Sequence, residues 1–255
     1  MINLYIDNCG VWNIYHFLFF MVAHLRHIKD TPDNIALDLS DGYFSTHHNF
    51  PREILTIMYP TANIVQANSC PPGFVEATKD SFPAETHRGD PLVYEEVYDY
   101  LRKIFLPLLE TYKPQNTYSK YIYLTRWGGE ADKRLVLNET ELLERSVFKK
   151  FQVVYLSKMT FMEQVYVFNN ASVIIGPHGA GFTNIMFCKQ PCQIIELGTP
   201  YMSRLMHFEK IATTIGLTSY SKFSTVKPLN LESYTSYEDN FLVDIDALVL
   251  QVCNS

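Results

Sequence analysis

Residues 173–184 read V-I-I-G-P-H-G-A-G-F-T-N, an apolar strand that stops at a glycine turn and opens into a helix. Gly176, Gly179 and Gly181 let the backbone turn sharply, and their missing Cβ atoms let it approach a ligand closely, with Ala180 between the last two. Unpaired N–H groups at the start of the next helix, with the positive end of its dipole, suit a phosphate or diphosphate. Thr183 and Asn184 add side-chain donors, and His178 stands on the rim. The spacing is neither G-x-G-x-x-G nor G-x-x-x-x-G-K-[ST], which sets aside dinucleotide dehydrogenases and P-loop NTPases. On the glycines alone, an ordinary structural turn is an equal reading.

The flanking sequence favours a ligand. Residues 121–126, Y-I-Y-L-T-R, alternate as a strand ending in Arg126, and K-R-L-V-L-N-E-T-E-L follows at 133–142. Residues 192–197 form a further strand carrying Glu196. Arg126, His178 and Glu196 thus lie at the carboxyl ends of three strands, where open α/β sheets bind ligands. The ordered set T-R, K-R-x-x-x-N-E-x-E-L, E-Q-V at 163–165, I-I-G-P-H-G-A-G-F-T-N and I-I-E-L at 194–197 resembles the family 61 glycosyltransferases. That family includes plant xylosyl- and arabinosyltransferases and animal O-linked N-acetylglucosaminyltransferases. The resemblance covers residues 120–215 well; before them, only N-I-Y-H-F at 13–17 matches.

The resemblance implies a GT-B-like α/β fold, two Rossmann-like domains facing across a cleft. It also implies inverting, metal-independent transfer of a sugar from a nucleotide donor to a glycan or protein hydroxyl. A UDP-linked donor is expected, carrying xylose, another pentose or N-acetylglucosamine. Arg126 and Arg134 supply paired donors to the leaving diphosphate, and with a helix N-terminus beside them no metal is expected. Glu196 is placed to accept from ribose hydroxyls. Asn138 with Glu141 reads as a helix cap and its capping-box partner, while Glu139 either faces the sugar or favours the helix dipole. His178 touches diphosphate or sugar. An acceptor hydroxyl also needs a base. His16 is the candidate by resemblance, but Leu18, Phe19 and Phe20 stand where many relatives carry an acid. Asp7 and Asp41, after the first and second strands, are the alternatives.

Composition narrows the field. A net charge of −6 over 255 residues leaves no basic footprint for nucleic acid. The longest apolar run, 14–25, holds His16 and His24 and falls short of the ~20 residues that span a bilayer. Five cysteines, Cys9, Cys70, Cys188, Cys192 and Cys253, form no disulfide framework. A glycan on the sequon at Asn138 would block the ligand motif; a second sequon begins at Asn170. These features favour a cytoplasmic chain, with a lumenal domain lacking its anchor as the alternative. Asp244 and Asp246 spell a metal-binding D-x-D, but they open an apolar helix and read as capping. His47 and His48 read as loop.

Along the chain, strands at 2–6, 34–39 and 62–66 alternate with helices at 13–28 and 51–59. An irregular loop, 68–90, precedes a long helix from Pro91 to about Tyr112. Residues 113–119 read as a linker, dividing an acceptor domain, 1–115, from a nucleotide-sugar domain, 116–255, whose last helix returns to the first domain. In the second half, helices are expected at 138–150, 160–169, 179–188 and 202–215. Strands at 120–125, 151–156, 172–176, 192–197 and 217–220 alternate with them, which calls for parallel sheets. The competing classes are a catalytically degenerate nucleotide-sugar or glycan-binding module and a Rossmann methyltransferase.

Overall fold

The computed structural model describes residues 2–6, 14–38, 50–77, 91–128, 133–202, 207–223, 226–227 and 239–253. Two compact units divide the chain. One is Met1–Tyr112 with Thr160–Met162, the other Lys113–Met159 with Glu163–Ser255.

The first unit is built on four parallel strands, β1 (Asn3–Ile6), β2 (Asn34–Leu37), β3 (Asn63–Gln66) and β4 (Val75–Ala77), in the order β3-β2-β1-β4. Asn3, Asn34 and Asn63 are in register, and their side-chain amides bond from strand to strand at 2.9 and 3.3 Å. β4 falls inside the stretch expected to be irregular. It is three residues at the sheet edge with Val75 67% exposed, so backbone pairing rather than an apolar pattern defines it.

The helix expected at 13–28 is broken into α1 (Ile14–His16), a π-helical turn (Phe17–Val22) and α2 (Ala23–Leu25). Phe17, Leu18, Phe19, Met21 and Val22 are all buried, a nearly continuous apolar run, and the wider π turn spreads its bulky side chains. Phe17 meets Phe50 of α3 (Phe50–Met58) edge-on, and Phe19 meets Tyr98 of α4 (Pro91–Phe105). The expected long helix ends at Phe105, ahead of Pro107, and a 3-10 turn, Pro107–Glu110, continues the chain.

The second unit carries five parallel strands: β5 (Tyr121–Leu124), β6 (Gln152–Val154), β7 (Val173–Pro177), β8 (Gln193–Leu197) and β9 (Tyr220–Phe223). Their order is β6-β5-β7-β8-β9. Ile122, Tyr123, Ile174, Ile175, Ile194 and Ile195 are fully buried, the continuous apolar run of strands covered on both faces. The helix expected at 138–150 is a short α5 (Glu139–Glu144) followed by a 3-10 turn, Ser146–Lys150. α6 (Phe161–Asn170) and α7 (His207–Thr214) lie within their expected spans or extend them by one residue. The segment after the glycine turn is a 3-10 helix, Ala180–Phe187, rather than the expected α-helix. The last strand begins three residues late.

A two-stranded antiparallel ribbon, β10 (Val226–Lys227) with β11 (Leu242–Val243), leads into α8 (Ile245–Cys253). Ile245 and Leu248 of α8 join Leu142, Phe148 and Phe151 in the core of the second unit. No helix of the described residues is long and apolar enough to cross a membrane.

At Gly176 the fold leaves no room for a side chain. A Cβ there would lie 2.6 Å from Leu124 Cβ and 2.9 Å from its carbonyl oxygen. Backbone is the obstacle, so the strands themselves would have to part. Gly176→Ala is expected to destabilise the second unit by about 1–3 kcal/mol, read as a lower midpoint in chemical denaturation.

Candidate functional site

In the order β6-β5-β7-β8-β9 the chain leaves β5 for one side of the sheet and returns to build β7 on the other. The carboxyl ends of β5 and β7 therefore flank a topological switch point, where diverging loops leave a crevice. Thr125, Arg126 and Trp127 follow β5, and His178 and Gly179 follow β7. Arg126 and the glycine turn meet there: a Cβ at Gly179 would sit 2.5 Å from Arg126 Nη1. Arg126 Nε donates to the carbonyl of Lys133 at 2.9 Å, which places the guanidinium beside the segment carrying Arg134. Arg134 itself has a left-handed φ of 59°, uncommon for a residue with a side chain.

Behind this edge lie two buried carboxylates, each held by protein donors. Glu139 is 7% exposed and accepts from Thr125 Oγ1 at 2.6 Å and Tyr123 Oη at 3.1 Å. Burial raises its carboxyl above the usual range, and the two hydrogen bonds offset part of that. Glu139 stands in the first turn of α5, as the dipole expectation has it, and its side chain also braces the end of β5. Glu196, on β8, is buried and pairs through Oε1 with His178 Nδ1 and through Oε2 with the hydroxyl of Tyr220 on β9. The Tyr220 hydroxyl is raised by burial and by the Glu196 charge.

His178 is fixed from several directions. Its backbone N–H donates to Leu197 O at 2.8 Å, and its ring lies 5.1 Å from that of Phe208 on α7. With Nδ1 committed to Glu196, Nε2 is the ring nitrogen left for other chemistry. His207, at the start of α7, is exposed, and partial desolvation and the proximity of His178 lower its pKa.

Thr183 and Asn184, expected as ligand donors, are both 0% exposed. Asn184 Nδ2 donates to Gln164 Oε1 at 2.8 Å and Gly181 O at 3.2 Å, which uses its two amide hydrogens. Gln164 in turn donates to Leu156 O and Met159 O. Asn184 therefore ties the 3-10 helix to α6. The first bond of that helix runs from Phe182 N–H to Gly179 O at 2.9 Å, with Ala180 and Gly181 at its start.

Asn138 precedes α5, but its side chain makes no cap. It clamps Val243, donating to the carbonyl and accepting from the N–H, both at 2.9 Å. The capping-box expectation with Glu141 is corrected accordingly, because a partner 105 residues away takes the amide. Asp244 does cap, accepting from Ala247 N–H at 3.2 Å. Of the candidate bases, Asp7 and Asp41 lie outside the described residues, as do His47 and His48, while His16 ends α1. Sequence reasoning missed Tyr220, His207, Thr125 and Tyr123. An alternating Y-I-Y strand does place Tyr121 and Tyr123 on one face, but nothing in the sequence marks their partners.

The profile of the family described as Glycosyltransferase 61 matches residues 14–195. The EGF domain-specific O-linked N-acetylglucosamine transferase of Drosophila melanogaster is 35% identical over 89 residues, which span 34% of this chain and 16% of the fly protein. Among solved structures, a phosphoglycerate oxidoreductase from Vibrio cholerae o395 aligns over 100% of both chains at 7% identity. Its TM-score of 0.25 is too low to bear on fold or function. The matched span runs from α1 into β8, ending one residue before Glu196, and includes Arg126, Arg134, Asn138, Glu139, His178 and the glycine turn. The chain belongs to glycosyltransferase family 61.

Proposed function

We propose that this chain is an inverting, metal-independent glycosyltransferase of GT-B type. In this reading the N-terminal domain, 1–115, binds the acceptor and the C-terminal domain, 116–255, binds a UDP-sugar. The observation that carries it is the Arg126 guanidinium packed against Gly179 at the β5/β7 switch point, with Arg134 one residue beyond the carbonyl that holds it. The fly relative's name supports N-acetylglucosamine as donor sugar and a protein hydroxyl as acceptor, beside the xylose or other pentose that the family resemblance implies.

In the proposed step the acceptor oxygen attacks the anomeric carbon from the face opposite the nucleotide. The bond from that carbon to the β-phosphate oxygen breaks, and its electron pair leaves with UDP. The acceptor's proton passes to a base, for which His16, Asp7 and Asp41 are the candidates. Arg126, Arg134 and the start of the 3-10 helix stabilise the charge that develops on the diphosphate. Glu196 orients His178 in this reading, and each of its oxygens, bonded once within the protein, keeps a second lone pair with which to accept from a ribose hydroxyl.

Arg134→Ala is expected to lower turnover by at least about a hundredfold, the loss typical of removing one group that stabilises developing charge, with the melting temperature retained. Turnover like that of the wild type would remove the diphosphate assignment. Transfer from UDP-N-acetylglucosamine or UDP-xylose is expected to persist in excess chelator, and its loss there would overturn metal independence. Tight UDP-sugar binding without transfer to any of a broad acceptor panel would instead identify a binding module.

A further inference from the structure

Trp127 departs from the ordinary behaviour of its side chain. It is 41% exposed, although tryptophan is highly buried on average. Its ring is nevertheless anchored. The indole Nε1–H donates to Val136 O at 3.0 Å, and the backbone N–H donates to Thr125 Oγ1 at 3.1 Å. Both anchors are themselves held, Thr125 by its bond to Glu139 and Val136 by pairing with Phe241. The chain then turns away at Gly128, whose φ of 74° leaves the ring at the end of the segment that follows β5. An exposed aromatic surface has thus been fixed at the carboxyl edge of β5, next in sequence to the arginine that lies over the glycine turn.

We propose that Trp127 is the stacking platform for the nucleobase of the donor, an inference that rests on the nucleotide-sugar reading above. A planar base matches an indole face, and aromatic stacking contributes to nucleotide binding without reading hydrogen-bond edges. Because two hydrogen bonds already immobilise the residue, little side-chain freedom remains to be lost when a base docks. Arg126 grips the diphosphate while its neighbour in the chain covers the base, so one short segment after β5 contacts both ends of UDP. The bond to Val136 alone gives a loop anchor, and that role requires no exposed ring.

The test is calorimetric titration of UDP into the wild-type chain, Trp127→Ala and Trp127→Phe, with thermal melts of all three. Trp127→Ala is expected to weaken UDP about tenfold or more, while Trp127→Phe, which keeps a smaller ring without the Nε1–H anchor to Val136, falls between Trp127→Ala and the wild type. The chain has two tryptophans, so the Trp12→Phe variant reports Trp127 emission alone, and UDP is expected to quench it. Unchanged UDP affinity in a folded Trp127→Ala protein overturns the proposal, as does emission in Trp12→Phe that ignores bound UDP. A wild-type chain that binds no UDP overturns the nucleotide reading itself, which distinguishes that failure from the failure of the platform.

Discussion

The pairing of β5 with β7 is the constraint on which the candidate site depends. Tyr121, Ile122 and Tyr123 lie in parallel register with Val173, Ile174 and Ile175, and one residue later Gly176 lets Leu124 close in where any side chain would hold the strands apart. The two chains therefore leave the sheet side by side. Since β6 lies beyond β5 and β8 beyond β7, the loops that follow must diverge. Arg126 reaches the glycine turn because of that shared exit, and a sheet of the same composition in another order would deliver the same residues to separate places.

Charge is sorted across this edge. Glu139 and Glu196 lie behind it, buried, and an uncompensated carboxylate there would be costly. Two hydroxyls satisfy the first, and an imidazole with a hydroxyl satisfies the second. The acids are thereby bonded within the protein, while the arginine lies against the glycine turn that starts the 3-10 helix. The acids work at one remove: Glu139 steadies Thr125 and so the backbone of Trp127, and Glu196 holds His178.

Local pattern reveals strands, turns and the ends of both, which is why Arg126, His178 and Glu196 were legible on adjacent strand ends. Partners fixed by topology were not. Tyr220 meets Glu196 only because β9 pairs with β8, and Asn184 meets Gln164 only because the 3-10 helix lies on α6. Asn138 carried every local sign of a cap, yet Val243 outcompeted the helix for its amide by offering a donor and an acceptor together. Edge strand β4 escaped notice because three paired residues need no apolar periodicity, and the π turn because a run of apolar residues reads the same whether its turns are α or π.

The segment from Leu135 to Asn138 shows how a strained arginine is kept in place. A left-handed backbone at a residue with a Cβ costs about 1–3 kcal/mol and persists only where its surroundings over-determine it. Downstream of Arg134, Leu135 N–H donates to Asn240 Oδ1, Phe241 N–H to Leu135 O, and Leu137 N–H to Phe241 O, before Asn138 closes on Val243. Upstream, Lys133 is held by Arg126. Each such bond contributes about 0.5–1.5 kcal/mol net, so the set together exceeds the strain it must hold. The C-terminal segment Asn240–Val243, far from Arg134 in sequence, is therefore part of what shapes the edge that carries Arg126 and Arg134, and β11 and α8 secure that segment by packing into the core of the same unit.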